Sequence, residues 1–181
     1  MCADSLYIYA DKFSPSMPKL SQLETDFEHL DAFIGISSHL RDYRLAHLIN
    51  QSLGFSLEKT DDLPAFNAKS DKPSFFSCYI FDDCEKQLTY FLLSNPGSEG
   101  LLVPSQKEAG YFLLMRGLVS IEMEAAMVLQ LKNVPNVLTV YPIDQYKIPN
   151  IELLLSDVEL HGITIKRKVK AKIKGLGSTG T

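Results

Sequence analysis

Phe75-Phe76-Ser77-Cys78-Tyr79-Ile80-Phe81 and Leu88-Thr89-Tyr90-Phe91-Leu92-Leu93 decide the fold. Each run is strand-sized and rich in aromatic and branched side chains. The polar connector Asp82-Asp83-Cys84-Glu85-Lys86-Gln87 joins them, so the pair reads as a β-hairpin. Alternation puts Phe76, Cys78 and Ile80 on one face of the first strand, and Phe75, Tyr79 and Phe81 on the other. Both faces are apolar. A sheet built on this hairpin is either covered on both sides or meets a partner on one.

Downstream, Asn95-Pro96-Gly97-Ser98 is a turn. Residues 101–103 form a short strand stopped by Pro104, residues 105–109 a polar connection, and residues 111–116 another strand. Ser120 caps a helix over 121–133, with Glu122 and Glu124 in its first turn and Lys132 in its last, as the helix dipole favours. A strand over 137–141 completes a strand–helix–strand crossover. Upstream, residues 32–37 read as a buried strand, and Ser37 and Ser38 offer an N-cap. Leu45, Leu48, Ile49, Ser52 and Leu53 then share one face of a helix over 39–53, with Gly54 as its C-cap. Residues 55–59 alternate as a strand, and the polar stretch 61–74 reads as a loop.

At the end, residues 151–155 suggest a strand. Apolar residues at 163, 165, 169, 171 and 173, with lysines in most gaps, give the period of two expected of an edge strand protected by outward Lys. We expect disorder from Gly175 onward. Pro15 and Pro18 mark an N-terminal arm over 1–25, within which Tyr7 to Tyr9 suggest a short edge strand. The expectation is an α+β fold: a mainly antiparallel sheet with two principal helices on one face, in one domain over 26–165, followed by a basic C-terminal strand or tail over 166–181. Residues 111–141 match, in pattern, half of a ferredoxin-like or ACT-like unit.

The totals bound the class. A chain of 181 residues with 45% apolar and 22% charged side chains buries a core without staples. No apolar stretch approaches the ~20 residues of a membrane helix, and the first residues carry neither a secretory signal nor the glycine that myristoylation needs. Cys2, Cys78 and Cys84 form no framework, which fits a reducing cytoplasm. Charge is unevenly spread. Residues 166–181 hold six cations and no acid, leaving the other 165 residues with 12 basic against 22 acidic side chains, a net −10.

Few residues suggest chemistry. Gly175-Leu176-Gly177-Ser178-Thr179-Gly180 matches GxGxxG in letters, but only Thr181 follows, so the helix that a dinucleotide needs is missing. His39, Tyr43 and His47 share a helix face, yet the two histidines stand ~12 Å apart, too far for one ion. Ser38, His39, Arg41, Asp42, Tyr43 and Arg44 surround a helix start where free N–H groups and guanidiniums can hold an anion; the plainer reading is a solvated face with an Arg–Asp pair. The paired acids Asp61-Asp62 and Asp82-Asp83 sit in turns, where Asp serves the backbone. Lys166, Arg167, Lys168, Lys170, Lys172 and Lys174 can contact phosphates in a weak, salt-sensitive way, but they lack aromatic stacking partners. No motif implies a metal or a cofactor.

Several stretches together resemble the bacterial IPExxxVDY family. Phe33-Ile34-Gly35-Ile36-Ser37-Ser38-His39-Leu40-Arg41-Asp42-Tyr43-Arg44-Leu45 is similar to its first strand and helix, and Leu88-Thr89-Tyr90-Phe91-Leu92-Leu93-Ser94-Asn95 to its hairpin. Its name motif corresponds to Val103-Pro104-Ser105-Gln106-Lys107-Glu108-Ala109-Gly110-Tyr111. The resemblance spans about residues 26–145 and implies no activity, since the family has no established one. Ser105 and Gly110 stand where the motif has its acids, so an acid/base pair there is lost, while Pro104 and Tyr111 remain. The motif therefore reads as structural or as a binding edge.

These observations lead to a non-enzymatic intracellular interaction or regulatory domain. Its surface would be the sheet around Phe75, Tyr79, Phe81, Tyr90 and residues 104–111, open to a protein partner or to a second copy. RNA contact through the basic end, and a small-anion site or unrecognised enzyme near residues 37–44, are the alternatives.

Overall fold

The computed structural model describes residues 29–66 and 73–176. The N-terminal arm, with Tyr7 to Tyr9, and the residues after 176 lie outside that range. Ten strands form in chain order: β1 (His29–Ser38), β2 (Glu58–Lys59), β3 (Leu63–Phe66), β4 (Pro73–Phe76), β5 (Cys78–Asp83), β6 (Leu88–Ser94), β7 (Pro96–Gly97), β8 (Gly100–Leu101), β9 (Tyr111–Val119) and β10 (Val137–Pro142). Three α-helices accompany them: α1 (Asp42–Leu53), α2 (Ile121–Lys132) and α3 (Ile151–Leu176). Six strands make one sheet in the order β10-β1-β9-β6-β5-β2, every pairing antiparallel.

The expected hairpin forms from β5 and β6, with Tyr79 opposite Leu92 and Phe81 opposite Tyr90. β1 lies between β9 and β10 and runs antiparallel to both, so β9-α2-β10 is a split crossover between parallel strands. β1-α1-β2 crosses the other way, over three intervening strands. β1 and β9 point in opposite directions and their crossovers travel in opposite directions. Right-handedness therefore sends both helices to the same face. Leu45, Ala46 and Ile49 of α1 and Met127, Val128 and Leu131 of α2 do share one core cluster with Leu113 and Tyr90. Gly54 ends α1 at φ +70°, a left-handed C-cap.

The opposite face carries a second cluster, and it corrects the reading of the C-terminus. Phe33, Phe91, Phe112 and Leu114 are covered there by Ile151 and Val158 of α3 and by the β3–β4 ribbon. Residues 151–176 are one helix, not a strand followed by an edge strand. Ile151, Leu155, Val158, Gly162, Ile165 and Val169 recur at steps of four and three, the period of a helix face. The alternating lysines imitate a strand, but Lys166, Lys168 and Lys170 stand exposed on that helix. Gly162 lets α3 approach the sheet: a Cβ there would lie 3.1 Å from Cζ of Phe91. The stretch read as a loop over 61–74 also holds strands β3 and β4, and the apparent single strand over 75–81 breaks at Ser77 between β4 and β5.

Replacing Gly162 tests the seating of α3. Gly162→Leu gains ~1 kcal/mol of helix propensity but forces a branched side chain into Phe91, a cost of ~1–3 kcal/mol or more. We expect a lower urea midpoint; a higher one would mean that α3 does not rest on β6.

Candidate functional site

The segment between β6 and β9 is built around one side chain. Asn95 is fully buried. Its Nδ2 donates to the carbonyls of Gln106 (2.9 Å) and Ala109 (2.7 Å), and its Oδ1 accepts from the Val103 amide (3.0 Å). Its own amide donates to the Gly110 carbonyl at 2.9 Å, and its carbonyl accepts from Leu102 N at 2.8 Å. A single amide thus takes the place of a strand partner for residues 95–110. It drives Val103 and Ala109 inward, leaving Pro104 and Ser105 exposed at the surface.

That loop forms one wall of a cleft of about 420 Å³. Leu101, Leu102, Val103 and Pro104 face Ile148, Pro149, Ile151 and Leu154 from the start of α3, and Ala65 and Phe76 of the ribbon close the end. The walls are mostly apolar. Ser105, Asn150 and Asp157 supply the polar groups. Burial holds the Asp157 carboxyl above its ordinary range, and among the described residues no cation or hydrogen-bond donor offsets it. Ser74, opposite Ala65 across the ribbon and wholly buried, has a hydroxyl without a partner among the described residues. The arrangement suits an apolar body that brings a positive or hydrogen-donating group to Asp157.

The residues expected near the first helix are only partly assembled. Arg41, not Ser37 or Ser38, is the N-cap, and its side chain makes no capping bond. Ser38 Oγ instead accepts from the Leu40 amide (3.2 Å) and donates to the Asn136 carbonyl (2.9 Å). His39, Arg41, Tyr43, Arg44 and His47 are exposed. Asp42 turns inward, where Ser77 Oγ and Tyr79 Oη (3.2 Å) donate to one carboxylate oxygen. Burial opposes its charge, but the bonds from Ser77, the Tyr43 amide and Tyr79 outweigh that and hold Asp42 below its ordinary range. Tyr79 is pushed up to about 12, first by burial and then by the charge of Asp42. A carboxylate this acidic is a poor base, and its negative charge at the helix start works against a bound anion. Tyr111 Oη donates to the Leu40 carbonyl at 2.6 Å, so Tyr111 ties the β1–α1 connection to the sheet.

Tyr79 is buried and Phe81 half-buried under the α1–α2 face, so the apolar hairpin is covered within the chain; Phe75 is 50% exposed. Lys166, Arg167, Lys168 and Lys170 stand exposed on α3, and Lys172 and Lys174 continue the same helix. Lys166 Nζ reaches Asp82 and Lys168 Nζ reaches Asp61, each at 2.7 Å. The cleft joins Pro104, Ser105 and Phe76 to residues unnoticed in the sequence, Asp157 above all. An acid among hydrophobic neighbours at 154, 155 and 158 was the available signal, hidden once this stretch was taken for a strand. Among the described residues, no group of three or more His, Cys, Asp or Glu side chains could hold a metal ion, and no helix is long and apolar enough to cross a membrane. No family model matches the chain, and no curated protein matches it either.

Two substitutions test these supports. Asn95→Ala leaves buried backbone groups of the loop unpaired at ~1–3 kcal/mol each, so a loss of about 3 kcal/mol in urea unfolding is expected; a loss below ~1 kcal/mol would mean that Asn95 does not hold the loop. Ser77→Ala tests Asp42. A depressed carboxyl stabilises the fold above its unfolded pKa, and that contribution is lost as pH falls through the folded value. The variant should therefore lose about 1.5–3 kcal/mol at neutral pH. The gap from wild type should close as pH falls below the ordinary aspartate range and through the lowered value of Asp42. A gap independent of pH would show that Ser77 does not stabilise the ionised form. Tyr79, raised, contributes stability up to about pH 10 that fades toward 12.

Proposed function

We propose that this chain is a non-enzymatic interaction domain, one that holds an apolar segment of a protein partner in the cleft between residues 101–105 and the start of α3. The cleft itself carries the reading. Its volume of about 420 Å³ falls within the ~300–1,000 Å³ of small-ligand pockets, its walls are mostly apolar, and Asp157 stands in it without a partner among the described residues. A lysine, arginine or amide from the partner would relieve that desolvated carboxyl. Pro104 and Ser105, in the stretch that resembles the IPExxxVDY motif, line the same wall, which supports the motif as a binding edge. The free thiols of Cys78 and Cys84 fit work in a reducing compartment such as the cytoplasm. RNA contact through the basic end has less support, since Asp61 and Asp82 of the same chain already engage two of its six cations.

The test is affinity purification of the tagged protein from its native cells, with and without nuclease, beside an Asp157→Lys variant and a Leu153→Glu variant. Leu153 lines the cleft at 57% exposure, so that change leaves the core intact. A stoichiometric protein that survives nuclease and is lost from both variants supports the proposal. Capture unaffected by either variant overturns the cleft as the site, and capture lost only with nuclease transfers the function to the basic helix.

A further inference from the structure

Helix α2 is mostly apolar. Ile121, Met123, Ala125, Ala126, Met127, Val128, Leu129 and Leu131 extend round most of it, with Glu122, Glu124, Gln130 and Lys132 between them, and apolar surface of this extent is ordinarily buried. Here only Met127, Val128 and Leu131 are buried. Ile121 (52%) and Leu129 (62%) are exposed, as is Ala125 between them. Steps of four place these three on one flank. α2 packs mainly on β10, and β10 is the outermost strand of the sheet.

That edge is only partly protected, by the bulge at Leu138 and by Pro142 at its end. Val137-Leu138-Thr139-Val140-Tyr141-Pro142 carries no charge, and Leu138 is 59% exposed. Edges of this kind invite another strand. The amide of Ile143 donates inward to the Phe33 carbonyl at 2.8 Å. Antiparallel alternation then points the N–H and C=O of Val140 and the C=O of Pro142 toward the free side. Pro142 costs β1 nothing, because its missing donor also faces that side.

We propose that two copies of this chain pair through β10 and α2 about a two-fold axis, extending the six-stranded sheet into one of twelve. Both elements suit the same symmetry operation. β10 spans ~20 Å and α2 ~18 Å, so one axis near their centres runs each along its counterpart. Val140 exchanges two hydrogen bonds with the partner's Val140. Ala125, midway along the exposed flank, admits the ~8–10 Å separation of packed helices. The charges choose a copy of this chain over an unrelated strand. Antiparallel pairing sets Glu122, in the first turn of α2, beside the partner's Lys132 in the last, and it does so at both ends. None of these residues lines the cleft, so this proposal and the proposed function stand or fall separately.

Light scattering and sedimentation of the intact chain test the pairing, with hydrogen exchange read at the Val140 amide. Wild type should have twice the 20.3 kDa chain mass at micromolar concentration, and Val140 protection should rise with concentration. Ala125→Glu and Leu138→Lys, both at exposed positions, should each weaken dimerisation by about 100-fold, the scale of losing a central contact. Glu122→Lys and Lys132→Glu should each weaken it, and the double variant should restore it. A wild-type monomer at about 0.5 mM, well above the micromolar Kd of even weak specific pairs, overturns the proposal. So does a dimer insensitive to these changes, or one whose Val140 amide exchanges at the same rate at all concentrations.

Discussion

β9 sets the constraint on which the rest depends. Phe112, Leu113 and Leu114 are fully buried in succession, so neighbouring side chains on opposite faces of the strand are all withdrawn from water. At roughly 1.5–3 kcal/mol for each large apolar side chain, exposing either face would forfeit a large part of a domain's net stability of about 5–15 kcal/mol. Both faces must therefore be covered. Two crossovers of one hand deliver α1 and α2 to the first, and the second is left to whatever follows β10. That is why α3 lies where it does, and why Gly162 meets Phe91 with no side chain between them. The stacked rings of Phe33 and Phe112, 4.8 Å apart, fill the layer it closes.

The cleft follows from how that second face is covered. α3 begins only after the short connection that leaves β10. The β3–β4 ribbon covers another part, and the loop pinned by Asn95 a third. Three separate pieces do not meet as closely as two packed helices, and the gap between them has apolar walls because each turns a core side inward. Asp157 stands at this junction, one residue before the buried Val158. A carboxyl held above its ordinary range by burial costs stability unless something offsets it.

The sequence was most legible where one physical signal acted alone. The hairpin, the Ser120 cap and the Gly54 end of α1 each rest on local chemistry, and each stands in the structure. Legibility failed where two periods coexisted. Between 163 and 173 the lysines follow a period of two while the buried stripe follows three and four. Only contact with Phe91 and the acids of the body decides between them. The first-helix cap failed for a different reason: Ser38 spends its hydroxyl on Asn136, a residue nearly a hundred positions away, and no local rule anticipates that bond. The cleft was illegible because its walls come from residues 65, 76, 101–105 and 148–157, which only the tertiary fold brings together.

The charge asymmetry takes its meaning from the same geometry. A body with net charge −10 and an end with six cations reads, along the sequence, like an end meant for an outside polyanion. In the structure α3 crosses the sheet and brings Lys166 to Asp82 in the β5–β6 hairpin and Lys168 to Asp61 before β3. Farther back on the same helix, Glu159 meets Arg116 of β9 at 2.9 Å. Exposed pairs of this sort contribute only ~0–1 kcal/mol each and do not hold the helix down. They add at most a weak preference for its direction. The hydrophobic stripe decides that α3 lies on the sheet, and the short connection from β10 through residues 143–150 decides where it starts.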